Sequence, residues 1–166
     1  GYIRTIYAAS GADTLDGSGL TASAVVDLRP LGYSNVGTTT IVAIANGVTI
    51  ENAMGGAGND QITGNDANNA LYGNGGNDTL RGNAGADTLD GGAGRDTANY
   101  GLASTAANWV RNANGSWTVT ASVDGVDTLT NIEALSFTDR TVVLDNAQQT
   151  FSGNGTSDFL WRNSSH

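Results

Sequence analysis

From residue 55 to residue 99 the chain repeats every nine residues without a slip: GGAGNDQIT, GNDANNALY, GNGGNDTLR, GNAGADTLD and GGAGRDTAN. Position 1 is always glycine, position 6 is Asp60, Asn69, Asp78, Asp87 and Asp96, and position 8 is Ile62, Leu71, Leu80, Leu89 and Ala98. A short fixed period means one structural unit per repeat, which buries its apolar side only by stacking on neighbours. Six residues rich in Gly, Asn and Asp make a turn, because Gly adopts positive φ freely and Asn and Asp tolerate it. The other three, such as 79–81, suffice for a short strand with one inward aliphatic. The pattern predicts a coil whose strands alternate between two facing sheets, with two repeats per turn of the coil.

This register stacks Asp60, Asp78 and Asp96 on one edge and Asn69 and Asp87 on the other, about 4.8 Å apart per coil. Like charges at that spacing repel by about 1 kcal/mol in water and about 3 kcal/mol at an effective dielectric near 20. A cation between coils reverses the sign. The ligands on offer are carboxylate, amide and carbonyl oxygens, a hard set that suits Ca²⁺. Isolated Gly-x-Asp triplets merely build turns; five in phase point to a ladder. Asp78, as the middle rung, serves two ions.

Composition closes other routes. Of 16 acidic residues 14 are Asp, there are 7 basic residues and the net charge is −9, which argues against nucleic-acid partners and anionic membranes. With no cysteine, disulfides cannot hold the fold, and the single histidine is the terminal His166, which leaves no Ser/His or HExxH chemistry. No run approaches a membrane span, so no stable membrane insertion is expected, and residues 1–10 lack the regions of a cleaved secretory signal.

The repeat reads G-G-x-G-x-D-x-U-x with U aliphatic, and in this it resembles the repeats-in-toxin family. RTIYAASGADTLDGSG (4–19), and GVTIENA (47–53), separated from GGAGND by Met54 alone, are similar to the C-terminal half of serralysin-type secreted metalloproteases. GVDTLTNIEALSFTDRTVVL (125–144) resembles the segment that follows such repeats in type I secreted proteins. The resemblance implies an all-β fold, a right-handed parallel β-roll of nonapeptide repeats with flanking β-strands capping both ends. It also implies several Ca²⁺ ions, each between a turn and the turn one coil later. One site would use Gly56, Gly58, Asp60, Gly73, Gly75 and Asp78; a second Asn65, Ala67, Asn69, Gly82, Ala84 and Asp87; a third Asn74, Gly76, Asp78, Gly91, Ala93 and Asp96. A site outside the tract maps onto Gly11, Asp13, Thr49 and Glu51. Asn69 stands where the family has Asp, so the second site is the weaker, and Ala8 removes an acid often used for a further N-terminal ion.

The chain divides into an N-terminal β flank packing on the roll (1–54), the repeats (55–99), a C-terminal β cap (100–149) and the start of an FG-GAP-like repeat (150–166). Residues 39–45 and 48–51 are strand candidates around Asn46-Gly47, and 109–111 with 117–120 form a hairpin about Asn114-Gly115. Leu129, Ile132, Leu135, Phe137, Val142 and Val143 are expected to cap the open end of the coil, with Trp109 and Trp117 as core. Asp124, Asp127 and Asp139 read as turn or strand-end residues and are assigned no metal.

The expected function is a calcium-binding folding and export module of a secreted bacterial protein. Its partners would be calcium, the type I secretion machinery and an N-terminal catalytic or other domain of the parent, here a serralysin-like metalloprotease. No catalytic constellation is present, so the segment itself is not expected to be an enzyme. The alternative is a calcium-dependent carbohydrate-binding, surface-layer or adhesion module, for which Tyr72, Arg81 and Arg95 are the available contact residues near the tract.

Overall fold

The computed structural model describes residues 2–6, 11–35 and 40–144. Ala8 and the FG-GAP-like stretch 150–166 lie outside them. Ahead of the tract come β1 (Tyr2–Ile6), β2 (Thr14–Asp16), β3 (Val25–Asp27), β4 (Tyr33–Asn35), β5 (Thr40–Ile44) and β6 (Asn52–Met54). The tract supplies β7 (Gln61–Thr63), β8 (Ala70–Tyr72), β9 (Thr79–Arg81), β10 (Thr88–Asp90) and β11 (Thr97–Asn99), one per nonapeptide at positions 7 to 9. A 3-10 turn (Ser104–Ala106) leads to β12 (Ala107–Arg111), β13 (Trp117–Ala121), β14 (Gly125–Thr130), β15 (Ala134–Ser136) and β16 (Thr141–Val143). Among the described residues no helix is long and apolar enough to cross a membrane.

Successive tract strands fall into alternate sheets, one ordered β1-β5-β4-β3-β7-β9-β11-β15-β16 and the other β12-β13-β14-β10-β8-β6-β2. Pairing within the roll is parallel and in phase, Ile62 opposite Leu80 and Leu71 opposite Leu89. The protein is therefore an all-β, parallel β-roll. Each tract strand buries only its position-8 side chain, because side chains alternate across a strand and one face meets the opposite sheet.

These inward residues form two columns that run past the tract. One is Leu15, Ala53, Leu71, Leu89 and Leu129; the other is Val26, Ile62, Leu80, Ala98 and Leu135. Most are buried to the last few square ångströms, and each full aliphatic contributes about 1.5–3 kcal/mol. The flanks thus add coils of their own to both ends of the tract.

Two expectations need correction. Residues 48–51 are not a strand: Gly47, at φ +78, turns the chain, Val48 and Ile50 drop into the core, and the strand starts at Asn52, opposite Ala70 of β8. β5 pairs instead with β1 and β4. In the cap, Leu129, Ile132, Leu135 and Phe137 are buried, whereas Val143 is 65% exposed. Alternation on the edge strand β16 turns Val142 inward and Val143 out. The β12–β13 hairpin turns about Asn114-Gly115, with Gly115 at φ +91. Trp117 is buried, and the Phe137 ring lies between those of Tyr100 and Trp109, at 5.6 and 5.4 Å.

Candidate metal centre

The last turn residue before each tract strand is position 6, and its side chain points back under the turn. Asp60, Asn69, Asp78, Asp87 and Asp96 are all 1–3% exposed. Each of the four aspartates reaches across one coil to a main-chain amide: Ala24 N–H donates to Asp60 Oδ1 at 2.7 Å, Asp60 N–H to Asp78 Oδ1 at 2.7 Å, Asp78 N–H to Asp96 Oδ1 at 2.7 Å, and Asn69 N–H to Asp87 Oδ1 at 2.8 Å. Position 1 must be glycine for this to occur. A Cβ on Gly73 would overlap the Asp78 carboxylate, and one on Gly82 the Asp87 carboxylate.

The five turns are not alike. In turn 55–60 the second carboxylate oxygen is used internally, with Gly56 N–H donating to Asp60 Oδ2 at 2.6 Å. Turn 64–69 does the same through the amide, Asn65 N–H donating to Asn69 Oδ1 at 2.8 Å. In the other three turns position 2 lies in the left-handed region, at φ +72 (Asn74), +71 (Asn83) and +89 (Gly92), as does position 4 at Gly76, Gly85 and Gly94. There the position-2 N–H does not reach the acid. Asp78 Oδ2, Asp87 Oδ2 and Asp96 Oδ2 are buried without a hydrogen-bond partner.

An unpartnered buried carboxylate oxygen is costly, and the electrostatics show it. Burial, together with the Asp96 and Asp60 charges, pushes the Asp78 carboxyl up to about 6. Asp87 is pushed up to about 7 by burial and then by Asp127 and Asp124. Asp96 is raised by burial and by Glu133 and Asp90. The turns therefore hold negative charge that the protein's own groups leave uncompensated.

The residues expected at each site fall on stacked turns. Turns 55–60 and 73–78 carry Gly56, Gly58, Asp60, Gly73, Gly75 and Asp78, and they touch directly, Gly75 N–H donating to Gly56 O at 3.0 Å. Turns 73–78 and 91–96 carry Asn74, Gly76, Asp78, Gly91, Ala93 and Asp96; here Ala93 N–H donates to Asn74 O at 2.7 Å and Gly76 N–H to Ala93 O at 3.0 Å. Turns 64–69 and 82–87 carry Asn65, Ala67, Asn69, Gly82, Ala84 and Asp87, joined by Asn83 Nδ2 donating to Gly64 O at 2.7 Å. Asn69 also donates from Nδ2 to Glu51 O at 3.0 Å. In the flank, Asp13 N–H donates to Glu51 Oε2 at 2.9 Å. Gly11 is exposed at φ +112, and Thr49 lines an open cleft of about 370 Å³ beside Arg29 and Asn65.

The ladders do not stop where the period stops. Asp96 N–H donates to Glu133 Oε2 at 2.7 Å, and Asp87 N–H to Asp127 Oδ1 at 3.0 Å. Asp96 is therefore flanked by acids on both sides, as Asp78 is, and the middle rung is not unique. Asp127, read from sequence as a turn or strand-end residue, is 1% exposed inside β14, with Tyr100 OH donating to its Oδ2 at 2.9 Å. Its signal was present: GVDTLT at 125–130 has the spacing of GNDTLR at 76–81. The hairpin between them sets Asp127 40 residues from Asp87, outside any nine-residue period. Asp139 accepts from Ser104 N–H at 2.7 Å and Oγ at 2.8 Å, a local clasp.

Among the described residues no three His, Cys, Asp or Glu side chains converge to hold a metal by themselves. The donor set is one or two carboxylates per gap plus turn carbonyls, oxygen throughout. A β-roll with buried acid columns at its turns defines a stacked-repeat domain of the β-roll class. The chain belongs to the family described as Peptidase M10 serralysin C terminal, whose model matches residues 2–163. It is 48% identical over 61 residues to metallopeptidase AprA of Pseudomonas marginalis, covering 36% of this chain and 13% of that protein. To serralysin C of Dickeya chrysanthemi it is 53% identical over 59 residues, 35% of this chain and 12% of that protein. To serralysin of Photorhabdus sp. (strain Az29) it is 50% identical over 57 residues, 34% and 12%. The match thus spans about an eighth of each relative's length.

Proposed function

We propose that the chain is a calcium-binding folding and type I export module of a secreted bacterial protein, carried by a serralysin-like metalloprotease whose catalytic domain lies elsewhere. The observation that carries this is the set of buried, unpartnered oxygens on Asp78, Asp87 and Asp96. All are carboxylate, all lie at stacked turns lined by main-chain carbonyls, and no softer ligand is near. Such a donor set fits a hard cation that tolerates six to eight oxygens. Bound calcium supplies the positive charge that these turns lack. Without it the acid columns oppose coil stacking, which suits a chain that must cross a secretion channel unfolded; in millimolar extracellular calcium, binding free energy becomes folding free energy. The lack of cysteine suits the same route.

Tyr72 belongs to β8 and Arg81 to β9, on sheets whose outer faces point apart, while Trp109 packs on Phe137. This favours the export reading over a carbohydrate or surface-layer module. The test is a calcium titration of the chain followed by circular dichroism. A cooperative gain of strand signal is expected in the range below millimolar to millimolar, with none from magnesium; an unchanged spectrum would refute the proposal.

A further inference from the structure

Asparagine followed by glycine is prone to self-modification, because the glycine amide nitrogen has no Cβ beside it to hinder attack on the asparagine side-chain carbonyl. The chain has four such pairs, and one, Asn154-Gly155, lies outside the described residues. The other three sit in turns that restrain them very differently. Asn74, at φ +72 in a stacked turn, donates from Nδ2 to Gly55 O at 2.8 Å, and its neighbour Gly75 donates N–H to Gly56 O at 3.0 Å. Asn114 accepts on Oδ1 from Ser116 N–H at 3.2 Å and Ser116 Oγ at 2.8 Å, and Gly115 N–H donates to Asn112 O at 3.0 Å. In both pairs the side-chain amide and the attacking nitrogen are each tied to another group.

Asn46-Gly47 carries no such restraint. Both residues are exposed, and among the described residues neither the Asn46 side chain nor the Gly47 amide has a hydrogen-bond partner. The turn is closed by Val48 N–H donating to Ala45 O at 3.2 Å, with Gly47 at φ +78. A Cβ placed on Gly47 would meet nothing within 4 Å, so the space beside this peptide is open. Ile44 on one side and Val48 and Ile50 on the other are buried in the core. The turn can therefore rearrange locally while its anchors stay in place.

We propose that Asn46 is a site of spontaneous deamidation in the folded protein, selected by the fold over Asn74 and Asn114. The Gly47 amide nitrogen gives its proton to solvent base and bonds to Asn46 Cγ. The Cγ–Nδ2 bond breaks, and with a proton returned from solvent the nitrogen leaves as ammonia. The product is a five-membered succinimide joining the two residues. Water then adds to one of its two carbonyl carbons and opens the ring. Opening at Cγ leaves aspartate on an ordinary main chain; opening at the main-chain carbonyl leaves isoaspartate, with the main chain rerouted through Cγ. Amide and water become carboxylate and ammonium, with no change of oxidation state. Either product adds a negative charge to a chain already at −9, at the bend that leads into Glu51 and β6. Isoaspartate also lengthens the main chain by one carbon between the buried anchors Ile44 and Val48. The modified fraction grows with the age of the folded protein.

The test ages the whole chain folded in calcium-containing buffer and, in parallel, unfolded in urea with chelator, each at neutral and mildly alkaline pH. Protease digestion and tandem mass spectrometry read the conversion of amide to acid at each position, and electron-transfer fragmentation separates aspartate from isoaspartate. In the folded chain, conversion at Asn46 should exceed that at Asn74 and Asn114 many-fold and should rise with pH. In urea the three rates should converge, because the local Asn-Gly sequence is then all that differs from other amides. Asn46→Gln, whose longer side chain would have to close a six-membered ring, should lose conversion at this position and leave Asn74 and Asn114 as in the parent chain. Equal rates at the three positions in the folded chain, Asn74 or Asn114 converting ahead of Asn46, or an Asn46 that stays intact while the urea sample converts, would each overturn the proposal.

Discussion

Asp78→Asn should change sign with calcium. Asp78 is buried, holds the Asp60 amide on Oδ1 at 2.7 Å and leaves Oδ2 unpartnered, with its carboxyl pushed up to about 6. Asparagine keeps the Oδ1 acceptor and removes the charge; Asn69 shows that an amide is accepted at this phase. A shift from 3.8 to about 6 corresponds to at most about 3 kcal/mol, and solvent at the turn edge reduces this to about 1–2 kcal/mol. In chelator near neutral pH, the variant should therefore fold more easily by that amount, read as a lower midpoint in an osmolyte-driven folding titration. In calcium, the loss of a carboxylate shared by two gaps should weaken each about tenfold, about 1.4 kcal/mol per gap, and move the calcium midpoint upward. The two curves cross. Destabilisation both with and without calcium would refute the claim that Asp78 is there to hold a cation, and would make it a hydrogen-bond acceptor only.

Alanine at Asp78 and at Asp96 should shift the calcium midpoint by similar amounts, since both are flanked by acids, and both should exceed Asp60→Ala, whose Oδ2 is already held by Gly56 N–H; parallel calcium titrations check the order. In chelator the fold should strengthen on acidification. The raised carboxyls of Asp78, Asp87 and Asp127 contribute stability that is complete below about pH 4 and lost as pH rises through about 6 to 7. In calcium the trend should reverse, because protons compete for the same oxygens; circular dichroism against pH in both buffers decides it. Leu80→Ala, at 0% exposure between Ile62 and Ala98, should cost about 2–5 kcal/mol in calcium, measured by urea unfolding. The chain alone should release no peptide from casein, with or without zinc.

The nine-residue period determined a great deal without coordinates. Glycine at position 1, an acid or amide at 6 and an aliphatic at 8 dictate turn, strand and inward side chain, because these are local demands on φ, chain direction and burial. The strands 79–81 and 88–90, their alternation between sheets and the stacking of Asp60, Asp78 and Asp96 all follow from that phase alone. What the period cannot carry is whatever an insertion displaces. Asp127 and Glu133 complete the acid columns, yet lie 40 and 37 residues from the rungs they join. The same holds for residues 46–54, where Glu51 and Ala53 occupy the turn and core phases although the segment reads as a plain strand. Tertiary structure also divided the five turns. Only the folded backbone decides whether the position-2 amide faces the acid, so an internally capped Asp60 and an unpartnered Asp78 arise from nearly the same letters. Electrostatic cost depends on which donors arrive in three dimensions, and that is settled by the stack rather than by the repeat.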